Sequence, residues 1–232
     1  MENASTLKIN GTADNFGTLS TSANGGTGGN SMTVGGVLTN EAAAHLTIKG
    51  HGDVLKASGG LVNNGTVTVN NGATIDPPYF NNLGTLNIDG TSTFVVGTGT
   101  ATGPGFIQLT NGTFGEVINS ATTFGVVNVA GSASLGGTLD ILLKSGYNPS
   151  VGTSFTFLLL HPGQLSGSYS NILNDIFNGG TEMWVVNYNS ANGYVQLTAA
   201  PNNSPVPEPG TFLMLGSSLI GVAYTARRRF KK

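Results

Sequence analysis

Short alternating triplets recur along the first half of the chain at nearly constant spacing, and this recurrence narrows the folds open to it. Leu46-Thr47-Ile48, Val67-Thr68-Val69, Leu86-Asn87-Ile88, Ile107-Gln108-Leu109 and Val127-Asn128-Val129 begin 21, 19, 21 and 20 residues apart. Leu7-Lys8-Ile9 and Met32-Thr33-Val34 are earlier copies at less regular spacing. Most triplets lead into a glycine turn and a second short run, as in Asn70 to Ile75, Asp89 to Val96 and Ala130 to Leu135. On a strand, alternation sends the outer two residues of a triplet to one face and the middle one to the other. A single copy has nowhere to bury its inner pair, whereas stacked copies close a continuous apolar column. The spacing predicts a parallel β-helix, with Val67, Leu86, Ile107 and Val127 in one column about 4.8 Å apart per coil. An antiparallel sandwich with evenly spaced hairpins is the alternative this pattern leaves open.

Composition agrees with an all-β chain. Only 9% of the 232 residues are charged and 36 are glycine, yet hydrophobic residues reach 38%. That is far from the roughly 25% charge of an ordinary globular domain, and too apolar for a disordered one. Gly and Asn supply the positive-φ positions that tight turns need. Asn63-Asn64 and Asn81-Asn82 are expected at such corners, in the left-handed conformation and bonded to neighbouring backbone. Up to Ala200 there are four lysines (Lys8, Lys49, Lys56, Lys144), no arginine and ten acidic residues. A nucleic-acid partner is therefore not expected. There is no cysteine, which excludes disulfides and thiolate metal sites.

From about Leu135 the sequence becomes more continuously apolar and gains aromatics, ending in a hairpin-like segment with Trp184 and Tyr194. The stretch Gly137 to Tyr169, GTLDILLKSGYNPSVGTSFTFLLLHPGQLSGSY, resembles the C-terminal end of autotransporter passenger domains. That resemblance implies a segment that finishes a β-helix stack. An exposed last coil needs such a cover for its open edge and core. The expected organisation is β-solenoid repeats over 1–134, a β-rich capping region over 135–199 and a Pro-rich linker over 200–206.

The last 26 residues, 207–232, have a different logic. Pro207-Glu208-Pro209 is followed by the uncharged, mostly apolar run Gly210 to Ala226, then by Arg227, Arg228, Arg229, Phe230, Lys231 and Lys232. The proline-rich entry cannot continue a strand or helix. Seventeen helical residues span roughly 25 Å, at the short end of what crosses a bilayer. A single transmembrane helix is expected over 210–226. The basic end would act as a stop-transfer cluster held on the cytoplasmic side, leaving the body across the membrane. The same order of motif, short helix and basic end resembles the PEP-CTERM sorting signal of Gram-negative bacteria. The resemblance implies recognition and processing by an exosortase near Pro207-Glu208-Pro209, and association with exopolysaccharide and biofilm. The opening Met-Glu-Asn-Ala-Ser-Thr has neither a basic nor an apolar signal region. An exported form is expected to have its signal peptide ahead of the numbered chain.

Catalytic signatures are missing. His45, His51 and His161 are isolated, and His51 with Asp53 is a commonplace strand spacing. Gly25 to Met32 loosely follows a calcium-binding nonapeptide, but with Asn30 in place of the required Asp and in a single copy. Polysaccharide cleavage needs converging carboxylates, whereas Asp53, Asp76, Asp89 and Asp140 are scattered, with only Asp76 and Asp89 eligible for neighbouring coils. The expectation is a non-enzymatic exported protein without metal or cofactor, structural or adhesive in role. The alternative is a carbohydrate-active or carbohydrate-binding β-helix. Binding would use Tyr79, Phe80 and Tyr147 along one face.

Overall fold

A computed structural model describes residues 4–21, 28–97, 104–144 and 146–203. The expected transmembrane helix, the sorting motif and the basic end all fall outside these residues. The chain divides into two compact units, 1–201 and 202–232, and every described strand lies in the first.

Within this first unit the chain winds through three parallel sheets in turn, which makes it all-β and β-helix-like. Sheet A takes the strands Thr6–Ile9, Ser31–Val34, Val54–Ala57, Thr74–Asp76, Thr93–Val96, Val126–Val129 and Ser154–Leu160. Sheet B takes Ala13–Asn15, Leu38–Asn40, Leu61–Asn63, Phe80–Asn82, Pro104–Gln108, Ser132–Leu135 and Leu165–Gly167. Sheet C takes Thr18–Ser20, His45–Lys49, Thr66–Asn70, Thr85–Ile88, Thr113–Ser120, Thr138–Leu143 and Asn171–Leu173. Every coil contributes one strand to each sheet, so the antiparallel sandwich does not describe the body.

Strand alternation produces the core. In sheet C, Leu46, Val67, Leu86, Phe114 and Leu139 are register partners and fully or almost fully buried. Sheets A and B add Met32, Leu55, Ile75, Phe94 and Val127, and Leu38, Leu61, Phe80 and Phe106. The single column expected from the triplets is only half present. Val67 and Leu86 share it, but Ile107 pairs with Asn81 in sheet B, and Val127 pairs with Phe94 in sheet A. The reason is uneven coil length. Successive equivalent positions of the buried amides stand 25, 23, 19 and 26 residues apart. The triplets therefore keep their spacing while moving from one sheet to the next. Leu7-Lys8-Ile9 and Met32-Thr33-Val34, by contrast, pair directly in sheet A.

Aromatic rings fill much of the interior from Phe80 onward. Phe80 meets Phe94 edge-on at 4.9 Å and Phe106 at 5.6 Å, and Phe114 stacks on Phe157 at 5.6 Å. The end of the stack changes direction. Tyr194–Pro201 pairs antiparallel with Ser154–Leu160, and Glu182–Asn189 pairs antiparallel with it in turn. Trp184 closes this end, stacked on Phe177 at 4.6 Å and edge-on to Phe155 at 5.6 Å. The segment 137–169 thus contributes parallel strands to the final two coils, and the antiparallel cover follows it.

The asparagine corners differ from expectation. Asn63 and Asn82 are not left-handed; positive φ falls instead at Asn71, Asn174 and Asn178. Asn63 and Asn82 lie on strands with side chains fully buried. A ladder of amides explains their burial. Asn15 donates to Asn40, Asn40 to Asn63, Asn63 to Asn82 and Asn82 to Gln108, all at 2.7–2.8 Å. Stacked amides satisfy one another from coil to coil, which removes the penalty of burying them.

Candidate functional site

Alternation that buries Leu46, Val67, Leu86, Phe114 and Leu139 turns their neighbours outward on sheet C. One outer row runs Thr18, His45, Thr66, Thr85, Thr113, Thr138 and Asn171, in register from coil to coil. A second row, two residues on, contains Thr47, Thr68, Asn87, Gly115 and Asp140. Four successive coils place threonine in the first row, and none of these hydroxyls has a hydrogen-bond partner among the described residues. Gly115 keeps the second row level, because the Asn87 carboxamide occupies the space a Cβ would take.

The buried amide ladder fixes this row from behind. Besides its link to the next amide, each Nδ2 donates to a backbone carbonyl of the outer row. Asn15 reaches His45 at 3.0 Å, Asn40 reaches Thr66 at 3.0 Å, Asn63 reaches Thr85 at 2.9 Å and Asn82 reaches Thr113 at 3.0 Å. Sequence reasoning missed the row. Its signal is a threonine immediately before each inward apolar residue, in Thr66-Val67, Thr85-Leu86, Thr113-Phe114 and Thr138-Leu139.

On sheet A, Val95, Asn128, Leu159, Leu160 and His161 line a shallow groove of about 280 Å³. It is mostly apolar and brings no second titratable group to His161. The remaining candidate residues do not converge. His51 is exposed in a turn, while the Asp53 carboxylate is buried and accepts the backbone N–H of Asn30 at 2.8 Å and its side-chain amide at 3.1 Å. Asp76 ends a sheet A strand and Asp89 follows a sheet C strand of the same coil, so sheet B separates them. Asp140 faces outward and takes a hydrogen bond from Asn174 at 2.7 Å. Among the described residues no three His, Asp or Glu side chains gather as a metal site. The three aromatics proposed for a sugar platform also part. Phe80 is buried in the core, the Tyr79 ring covers Gly60, and Tyr147 packs edge-on against Phe155 at 6.4 Å.

One carboxyl escaped the sequence reading. Glu116 points inward from Thr113–Ser120, between Ile88 and Ile141, and is completely buried. Neither oxygen completes a hydrogen bond, although the Gly125 backbone N–H leans toward the carboxyl. Burial pushes Glu116 well above the usual carboxylate range, opposed only in part by Gly125. Tyr169 is likewise driven up by burial, with smaller contributions from Tyr188 and Glu116.

For the tail, comparison with known families is decisive. Residues 205–229 match the PEP-CTERM protein-sorting motif. The PEP-CTERM match takes in Pro207, Glu208, Pro209 and Arg227, Arg228 and Arg229; Lys231 and Lys232 lie beyond it. It supports an exported protein sorted to the cell envelope. No curated protein and no solved structure matches the chain. Among the described residues no helix is long and apolar enough to cross a membrane.

Proposed function

We propose that this chain is an exosortase substrate, displayed outside the cytoplasmic membrane, whose body is a non-catalytic structural or adhesive element. The observation that carries the reading is the PEP-CTERM motif over 205–229, with its three parts in order. In this reading Gly210 to Ala226 spans the inner membrane as a short helix. Arg227, Arg228, Arg229, Lys231 and Lys232 hold its end on the cytoplasmic side, and the exosortase acts near Pro207-Glu208-Pro209. Release then delivers a passenger-like β-helix to the surface or matrix, where exopolysaccharide is the expected companion.

The scatter of carboxylates over different sheets favours a scaffold over a glycoside hydrolase, which needs two carboxyl groups within about 5–9.5 Å of each other. The test is the intact mass of surface-exposed protein from a host carrying an exosortase. A product ending near the PEP motif supports the reading. A surface form that still ends in Lys232 overturns processing and leaves a simple anchor.

A further inference from the structure

We propose that the outer face of sheet C is a docking surface for a neutral, extended polysaccharide lying along the coil axis. This rests on the envelope reading above and names the partner's chemistry and its place on the body. Parallel strands put successive side chains of a row about 4.8 Å apart, and the two rows about 6.7 Å apart along each strand. From Thr18 to Asn171 the face crosses seven strands, so it is roughly 29 Å long, six steps of about 4.8 Å. A surface with this translational order matches a ligand that itself repeats, because each step offers the same contact again.

Its chemistry selects the ligand. The hydroxyls of Thr66, Thr85, Thr113 and Thr138 are free to donate or accept, and their methyl groups give the row an apolar relief. Thr68, Asn87 and Asp140 on the second row add a hydroxyl, an amide and a carboxylate suited to sugar hydroxyls. Between Thr66 and Thr138 the first row has no charge. The body as a whole, up to Ala200, has four lysines, no arginine and ten acidic residues. Such a field repels polyanions and accepts an uncharged chain.

The corresponding row of sheet A runs Thr6, Ser31, Val54, Thr74, Thr93 and Val126, so valines interrupt its hydroxyls and no more than two threonines follow each other. Strand propensity favours valine and threonine alike, so it does not by itself select four threonines in succession on one sheet. The ladder contacts to the Thr66, Thr85 and Thr113 carbonyls hold the row in place before any ligand arrives. Preorganisation of this kind lowers the ordering cost that a repeating, weakly held ligand would otherwise impose.

The test is retention of the purified full chain, in mild detergent, on microcrystalline cellulose, insoluble mannan and alginate beads. Variants are Thr85→Lys on the proposed face and Thr93→Lys on sheet A, with circular dichroism to verify folding of both. Retention on cellulose or mannan, weakened about tenfold by Thr85→Lys and unchanged by Thr93→Lys, is expected. Equal effects of the two variants, retention on alginate alone, or no retention on either neutral polymer would overturn the proposal. So would inhibition of ice recrystallisation without glycan retention, since ordered water would then be the ligand. The assay uses purified protein, so a failure of export or processing in cells leaves its outcome untouched.

Discussion

The Asn63 side-chain amide donates to the Asn82 carbonyl oxygen at 2.7 Å, across the step from one coil to the next. The same Nδ2 also donates to the Thr85 backbone oxygen at 2.9 Å. One buried amide therefore couples coil stacking in sheet B to the position of the outer row in sheet C. Its own oxygen accepts from Asn40 at 2.8 Å, so Asn63 has neighbours on both sides in the ladder.

Replacing Asn63 by alanine removes three hydrogen bonds and leaves the buried Asn82 side-chain oxygen without its donor, while the Asn40 amide keeps the Thr66 and Ala44 carbonyls. Each buried group left without a partner costs about 1–3 kcal/mol. Partial rescue by neighbouring contacts should bring the loss to about 3 kcal/mol, at the upper end of ordinary single substitutions. Asn64→Ala is the control, because its side chain reaches only Glu41 at 3.4 Å and is half-buried. Urea titration followed by circular dichroism should show a large drop in midpoint for Asn63→Ala and almost none for Asn64→Ala.

Glycine at the corner between sheets B and C has a steric reason. A Cβ on Gly84 would run into the Gly65 carbonyl oxygen of the neighbouring coil. The Gly84 N–H meanwhile donates to the Asn63 backbone carbonyl at 3.0 Å, so the corner cannot lift away freely. Gly84→Ala should cost roughly 2 kcal/mol or more, as overpacking of a fixed backbone does. Gly11, with nothing within 4 Å of its would-be Cβ, should tolerate alanine with a change below about 0.5 kcal/mol. Equal thermal midpoints for the two variants would contradict this account of the corner.

The parallel coil was legible because alternation and recurrence are local properties that sequence displays directly. Leu46, Val67 and Leu86 could be stacked on paper, and they do stack. Ile107 was expected in the same column and falls outside it, because its coil is lengthened and Gln108, not its apolar neighbours, continues the amide ladder inward. A polar residue in an inward position reads as a surface residue until its partner on the next coil is known. Glu116 was invisible for the related reason that only three-dimensional packing reveals an unpaired buried carboxyl. The sorting tail, in contrast, was legible from order alone, since proline motif, apolar run and basic end are recognised in sequence.

Two changes should separate insertion from processing at the tail. Deleting Arg227 to Lys232 removes the basic cluster proposed to stop transfer, so the fraction of chain retained in inner-membrane preparations should fall severalfold. Changing Pro207, Glu208 and Pro209 to alanine leaves the apolar run and the charges intact. That variant should remain in the membrane at full length when an exosortase is present. Fractionation with immunoblotting reads both effects, and wild-type processing of the triple-alanine variant would rule out the motif as the recognition element.

Glu116 should make the body less stable as pH rises from mildly acidic to neutral. Burial raises its native pKa well above the ordinary glutamate value of 4.5, which the unfolded chain keeps. Below about pH 4 both states hold the proton, and the carboxyl adds no pH dependence. Above the unfolded pKa the unfolded state releases its proton while the native state keeps it. Unfolding is then favoured by up to about 1.4 kcal/mol per pH unit, until pH passes the native pKa. Tyr169 is coupled to Glu116 and packs against Tyr188, and burial pushes both tyrosines up, so they stay neutral across the same range. Glu116→Gln keeps the shape of the side chain and removes the ionisation. The variant should match wild type near pH 4 and exceed it by a margin that widens toward pH 7, with a flatter midpoint-versus-pH curve in thermal melts. Parallel curves for the two proteins across that range would show that Glu116 carries none of the effect, and a Glu116→Gln margin that shrinks as pH rises would reverse its sign.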